Sequence, residues 1–77
     1  MESDMSKVYI LVDQDDFIIR IEGGYTLPVD LEGWIFIDEG YGDKYNLAQT
    51  HYLPKSIMKE NGDWQYKYIN GEIVEVE

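Results

Sequence analysis

The segment from Trp64 to Val76 constrains the fold more than any other. Trp64-Gln65-Tyr66-Lys67-Tyr68-Ile69 and Glu72-Ile73-Val74-Glu75-Val76 flank a central Asn70-Gly71. A two-residue Asn-Gly loop favours a type I′ turn, whose two central residues both need positive φ. Pairing across it sets Ile69 opposite Glu72, Tyr68 opposite Ile73, Lys67 opposite Val74 and Tyr66 opposite Glu75. One face then carries Trp64, Tyr66, Tyr68 and Ile73; the other carries Gln65, Lys67, Ile69, Val74 and Val76. Both faces are partly apolar, and an isolated hairpin is marginal in water. A sheet elsewhere in the chain must cover one of them.

The N-terminal third supplies that sheet. Val8-Tyr9-Ile10-Leu11-Val12 is β-branched and aromatic, and Phe17-Ile18-Ile19-Arg20-Ile21 sets Phe17, Ile19 and Ile21 against Ile18, Arg20 and Glu22. Between them, Asp13-Gln14-Asp15-Asp16 is a polar turn whose Asp side chains bond their own backbone. Gly23-Gly24 and Leu27-Pro28 break the pattern. Trp34-Ile35-Phe36-Ile37 reads as a linking strand, left through Asp38-Glu39-Gly40. The expected fold is mainly β, with α+β as the variant. It is an antiparallel sheet of two β-hairpins plus a linking strand, with at most one short helix around residues 43–53. That helix would place Tyr45, Ala48, Gln49 and Tyr52 on one side, with Asp43 as its cap and Leu53-Pro54 as its end. With 77 residues there is room for one domain; we place it at 7–77, with a disordered N-terminus at 1–6.

Charge narrows the function. Sixteen acids against six bases give a net charge of −10, and the excess is spread evenly rather than gathered in a tail. Phosphate backbones are bound mainly through Lys and Arg, so direct nucleic-acid binding is not expected, nor docking on an anionic membrane. No apolar run approaches the length of a transmembrane helix, and Met-Glu-Ser-Asp carries acids where a signal peptide needs bases. The expectation is a protein cytoplasmic in the producing cell. An even acidic excess keeps a small domain soluble; the sharper alternative is a mimic of nucleic-acid charge seated in a basic groove of a host factor.

Catalytic chemistry finds little to work with. The chain has no cysteine, so neither a thiolate nucleophile nor a thiolate zinc site exists. His51 is the only histidine, and its distance of five residues from Ser56 defines no triad geometry. Asp13, Asp15 and Asp16, and Asp38 with Asp43, offer the oxygens that hard cations favour, without the twelve-residue loop and closing Glu of an EF-hand. They are structural turns first and weak cation candidates second. No cofactor is expected. The seven Tyr, two Trp and two Phe exceed what a small core hides, and Tyr and Trp are favoured at interfaces and sugar-stacking surfaces. Tyr41, Tyr45, Tyr52 and Trp34 are the interaction candidates.

A long block gives this pattern a context. Gly33-Trp34-Ile35-Phe36-Ile37-Asp38-Glu39-Gly40-Tyr41-Gly42-Asp43-Lys44-Tyr45-Asn46-Leu47-Ala48-Gln49 continues through His51-Tyr52-Leu53-Pro54 to Asn61-Gly62-Asp63-Trp64-Gln65-Tyr66-Lys67-Tyr68 and Asn70-Gly71. It resembles a module of tail-associated proteins, in tail fibres and baseplates, of phages and prophages of Gram-positive bacteria. There "GW-x-x-IDEG-x-GD-[RK]-Y-x-x-AQ-x-x-YL" precedes an "NG-x-[YW]-x-Y" strand and a "[DN]G" turn. The likeness spans about residues 7–76. Leu47 stands where that family often has histidine, and Lys44 where arginine is common. The resemblance implies a non-enzymatic virion or tail-assembly component, with partners among tail or baseplate proteins and no catalytic residues to transfer. Within the block, Gly40 and Gly42 let the chain turn around Tyr41, and Lys44 is within reach of Asp38 or Glu39 as an ion pair. A carbohydrate-binding surface built on exposed Trp and Tyr is the third alternative.

Overall fold

A computed structural model of the chain describes residues 5–76. Five strands follow in order: β1 (Ser6–Val12), β2 (Ile18–Gly23), β3 (Ile35–Gly40), β4 (Tyr66–Ile69) and β5 (Glu72–Glu75). Two four-residue helices, α1 (Asp43–Asn46) and α2 (Ala48–His51), sit between β3 and β4. The first three strands form an antiparallel sheet in the order β2-β1-β3, and β4 pairs with β5. The architecture is mainly β, as the sequence pattern implies. Residues 1–4 of the expected N-terminal segment lie outside the described residues, and β1 begins one residue before the boundary at Lys7.

The C-terminal hairpin has the register that Asn-Gly dictates: Tyr66 opposite Glu75, Lys67 opposite Val74, Tyr68 opposite Ile73 and Ile69 opposite Glu72. Asn70 (φ 53°) and Gly71 (φ 82°) supply the two positive dihedrals of the turn. Tyr66 is buried, and Tyr68 and Ile73 pack against the core beside it. Trp64 differs from expectation. It precedes β4 and forms an isolated bridge with Met58 instead of extending the strand.

A β-bulge changes the face assignment of β2. The register of β1 against β2 shifts between Leu11, which faces Arg20, and Val12, which faces Ile18. The extra residue, Ile19, puts Ile18 on the same side as Ile21. Both are buried with Val8 and Ile10, at 0% and 3% exposure. A strict two-residue alternation would instead have grouped Ile18 with Arg20 and Glu22 on the polar face.

The turn before β2 is built by Asp13. Its Oδ1 accepts the Asp15 N–H at 2.8 Å and the Phe17 N–H at 3.0 Å, while Asp16 takes the left-handed conformation (φ 69°). The hairpin β4–β5 joins the larger sheet here. Phe17 bridges Lys67, and Tyr68 donates its N–H to the Asp16 carbonyl at 2.9 Å.

Where a single helix was expected, the chain makes two separate turns. Leu47 breaks them with φ −124° and ψ 46°. Asp43 is not a cap: Gly42 occupies that position, and Asp43 is the first helical residue with no side-chain cap bond. Its charge still lies at the favourable end of the turn.

Candidate interaction surface

The chain from Asp38 to Tyr52 folds into one interlocked corner. A β-carbon built on Gly40 would lie 2.5 Å from Cε2 of Tyr45, so the Tyr45 ring lies against bare backbone. Gly23 plays the same part for α2, where an added β-carbon would meet Cβ of Ala48 at 2.6 Å. Tyr45 and Tyr52 meet edge to face, with centroids 6.0 Å apart, a geometry favoured by the ring quadrupoles. The Tyr52 hydroxyl donates to Asp38 Oδ2 at 2.8 Å. Burial, with the neighbouring Asp38 carboxylate second, raises the pKa of that hydroxyl well above its ordinary value.

Lys44 does not make the ion pair expected with Asp38 or Glu39. Its Nζ lies over the rings of Tyr52 (5.0 Å) and Tyr45 (5.5 Å), a cation–π arrangement. The two ion pairs among the described residues are Arg20–Glu22 and Lys55–Glu75.

Of the four candidate aromatics, Tyr41 alone projects into solvent, at 66% exposure. Tyr45 and Tyr52 are half-buried and pack against the core. Trp34 is half-buried, and the Arg20 guanidinium sits 5.5 Å above its ring. The structure thus joins Tyr45 with Tyr52 and leaves Trp34 elsewhere on the sheet. Two exposed apolar residues of this sheet, Met5 and Phe36, were not singled out in the sequence. Ser6 pairs with Gly40, which brings the exposed Met5 to the end of the ladder where Tyr41 projects. Further along, exposed Phe36 contacts Tyr9 edge to face at 5.6 Å. The alternation of β1 and β3 could have shown this pairing, given the strand order.

Glu22, which the alternation groups with Ile18 and Arg20, is 2% exposed. Its Oε2 accepts from Arg20 Nη2 at 2.8 Å and from Gln49 Nε2 at 3.2 Å, while Oε1 is buried with no partner.

The acidic residues considered for a cation have other duties. Asp13 is occupied by its turn. Asp38 Oδ1 accepts the Glu39 N–H at 2.8 Å, and its Oδ2 accepts from Tyr52. Asp15, Asp16 and Asp43 are exposed. Among the described residues, no group of three or more His, Asp or Glu is placed to hold a metal ion. His51 is exposed and its Nδ1 lies 2.8 Å from the Thr50 hydroxyl. Ser56 Oγ accepts the Met58 N–H at 3.3 Å, turned to its own loop.

No family model, no curated protein and no solved structure matches this chain. No helix among the described residues is long and apolar enough to cross a membrane.

Proposed function

We propose that the chain is a non-enzymatic interaction module of a phage or prophage tail, engaging tail or baseplate proteins. The observation that supports it most is the use made of the Gly33–Gln49 block. Gly40, Tyr45, Ala48 and Tyr52 interlock to fix a corner, and Tyr41 is left projecting between two glycines. A rigid corner presenting one amphipathic ring suits docking, because little side-chain entropy is lost on binding. Ser6 pairs with Gly40, so the exposed Met5 lies at the same end of the ladder as Tyr41.

The rival readings draw less from the geometry. A charge mimic needs acids arrayed in one field, whereas the acids here are spread along the chain at −4, −3 and −3 in residues 1–22, 23–56 and 57–77. A sugar platform on Trp34 needs an open ring face, and the Arg20 guanidinium lies 5.5 Å over that ring.

The test is capture of partners with tagged protein from induced lysate of a lysogenic Gram-positive host. Recovery of tail or baseplate proteins is expected, and the neighbouring genes should encode tail and lysis functions. Recovery of a basic DNA- or RNA-binding host protein, with early regulatory genes nearby, would favour the mimic instead.

A further inference from the structure

Strand β3 is an outer strand of the three-stranded sheet, paired with β1 on one side only. Successive residues of an antiparallel strand aim their peptide groups at alternate neighbours, so the direction of each group follows from the ladder. Asp13 donates its N–H to the Phe17 carbonyl at 3.0 Å, so Asp13, Leu11 and Tyr9 face β2. Gly23, opposite Val8, agrees in phase: its N–H goes to Thr26 Oγ1 and not to β1. Ser6, Val8 and Ile10 therefore face β3 and engage Gly40, Asp38 and Ile35. Phe36 and Glu39, opposite Tyr9 and Lys7, aim their peptide groups outward. Between them, Ile37 is the extra residue of a bulge, and its side chain and that of Asp38 both turn inward. Ile37 packs against the core, and Asp38 accepts from the Tyr52 hydroxyl. Phe36 and Glu39 thus share the opposite face, where the Phe36 ring meets Tyr9.

This edge is open to solvent. Phe36 is 47% exposed, and Glu39 is exposed as well. Among the described residues nothing takes the N–H or C=O of Phe36 or the C=O of Glu39, while the Glu39 N–H goes to Asp38 Oδ1 at 2.8 Å. Unpaired peptide groups on an accessible edge are a template for another strand, and edge charges and bulges ordinarily guard against such pairing. Here the guard is selective. The Glu39 carboxylate takes part in neither ion pair among the described residues, and Lys44 lies over the rings of Tyr45 and Tyr52 instead. A second copy would bring its own Asp38-Glu39 and its own charge of −10 to this edge. A strand carrying a base opposite Glu39 meets attraction where the copy meets repulsion.

We propose that the outer edge of β3 accepts an antiparallel strand of a partner protein, with Lys or Arg opposite Glu39 and an aliphatic residue opposite Phe36. Because Ile37 is an inserted residue, those two partner residues stand two apart and lie on one face. The aliphatic side chain then covers the Phe36–Tyr9 ring pair. Main-chain bonds to Phe36 and Glu39 give affinity, and the two side chains give selectivity. β3 leads directly into Gly40 and Tyr41, so the added strand runs alongside the docking corner. The inference rests on the interaction-module reading and adds the edge and the chemistry of the partner.

The experiment titrates the full chain, labelled with 15N, with the peptide acetyl-Thr-Lys-Thr-Val-Thr-amide, whose lysine and valine have the required spacing. Saturable amide shifts at Phe36 and Glu39 are expected. N-methylation of the valine removes the donor to the Phe36 carbonyl and should weaken binding about tenfold. N-methylation of the central threonine, whose N–H points away from β3, should change it less than about twofold. Glu39→Lys should weaken the peptide about threefold, and replacing the peptide lysine by glutamate should restore binding to that variant. Unchanged amide shifts in β4 and β5 show that the variant is folded. Undiminished binding by the N-methyl-valine peptide would overturn the proposal, since charge alone would then explain the attraction. Shifts confined to β2 would overturn it too. So would broadening of the Phe36 and Glu39 amides with protein concentration in the absence of peptide, which would give the edge to a second copy. Absence of titration while tail proteins are still captured would overturn the edge site and leave the tail reading intact. Titration without tail capture would support the edge and count against the tail assignment.

Discussion

The ring of Tyr45 occupies the space where a side chain on Gly40 would begin. Gly40 ends β3 and Tyr45 sits in α1, so this contact fixes the angle at which the chain leaves the sheet. The clash needs no positive φ to be severe, because two ring carbons lie within 2.6 Å of the would-be β-carbon. Gly40→Ala should therefore destabilise the domain by about 1–3 kcal/mol, the range for overpacking. Denaturant melts of the single variant and of Gly40→Ala with Tyr45→Ala provide the check. The two changes should be strongly non-additive, and simple additivity would show that the ring is not the obstacle.

Tyr52 makes the second link of the corner, and its titration has a defined sign. Its folded-state pKa is raised above the ordinary tyrosine value by burial and then by Asp38. A raised value means that the folded state holds the phenolic proton more tightly. The stabilisation is fully present below the unfolded pKa of about 10 and is lost as pH rises beyond it toward the folded value. Tyr52→Phe should cost about 1 kcal/mol at neutral pH and flatten part of the alkaline loss. Chemical denaturation from pH 7 to 11 measures both.

Arg20 and Glu22 should be the least expendable charges. Glu22 is almost fully buried, with one oxygen held by Arg20 and Gln49 and the other unpartnered. Removing Arg20 leaves that carboxylate undercompensated, a costly arrangement. Arg20→Ala should lose about 2 kcal/mol, and Glu22→Gln in the same background should recover much of it. If Arg20→Ala costs no more than a typical surface change, water supports the carboxylate instead.

Tyr41 should matter for binding and not for folding. Tyr41→Ala is expected to weaken partner binding by more than about 1 kcal/mol while leaving the melting temperature unchanged. Binding should also change little between about 0.1 M and 1 M salt, because an apolar interface is not screened. Collapse of affinity with salt, together with indifference to Tyr41, would transfer the case to a charge mimic.

His51→Ala should fall within about 0.5 kcal/mol of the parent in both folding and binding. The imidazole is exposed and its polar contact is with adjacent Thr50. Zinc bound at His51, or a large loss of affinity, would reverse that view.

The parts of the fold legible in the sequence are those governed by local chemistry. Asn70-Gly71 specifies a turn because positive φ is needed at two adjacent positions, and the register follows from it. Asp13 specifies its turn through its own carboxylate. What stayed hidden depends on tertiary neighbours. The bulge at Ile19 turns Ile18 inward because the core rewards its burial, and a period of two cannot anticipate one inserted residue. Glu22 looks like a surface acid until Gln49, 27 residues away, arrives beside it. Lys44 lies among acids in sequence but finds two aromatic rings in space. The candidate surface was legible in residue type, and only the corner geometry separates Tyr41 from Tyr45 and Tyr52.

The central position of β1 bears on how the chain comes apart. β2 and β3 do not pair with each other; each is held in the larger sheet by the first strand. Loss of that strand removes both ladders in a single event, so unravelling from the amino end is all-or-none rather than stepwise. The carboxy-terminal hairpin is tied down at separate points instead: the Asp16 carbonyl accepts the Tyr68 N–H, the Ile57 carbonyl accepts the Gln65 N–H, Lys55 pairs with Glu75, and Tyr66 lies in the core. Mechanical pull at that end has to draw Tyr66 out of the core one tie at a time, whereas the same force applied to Ser6 meets the cooperativity of the whole sheet.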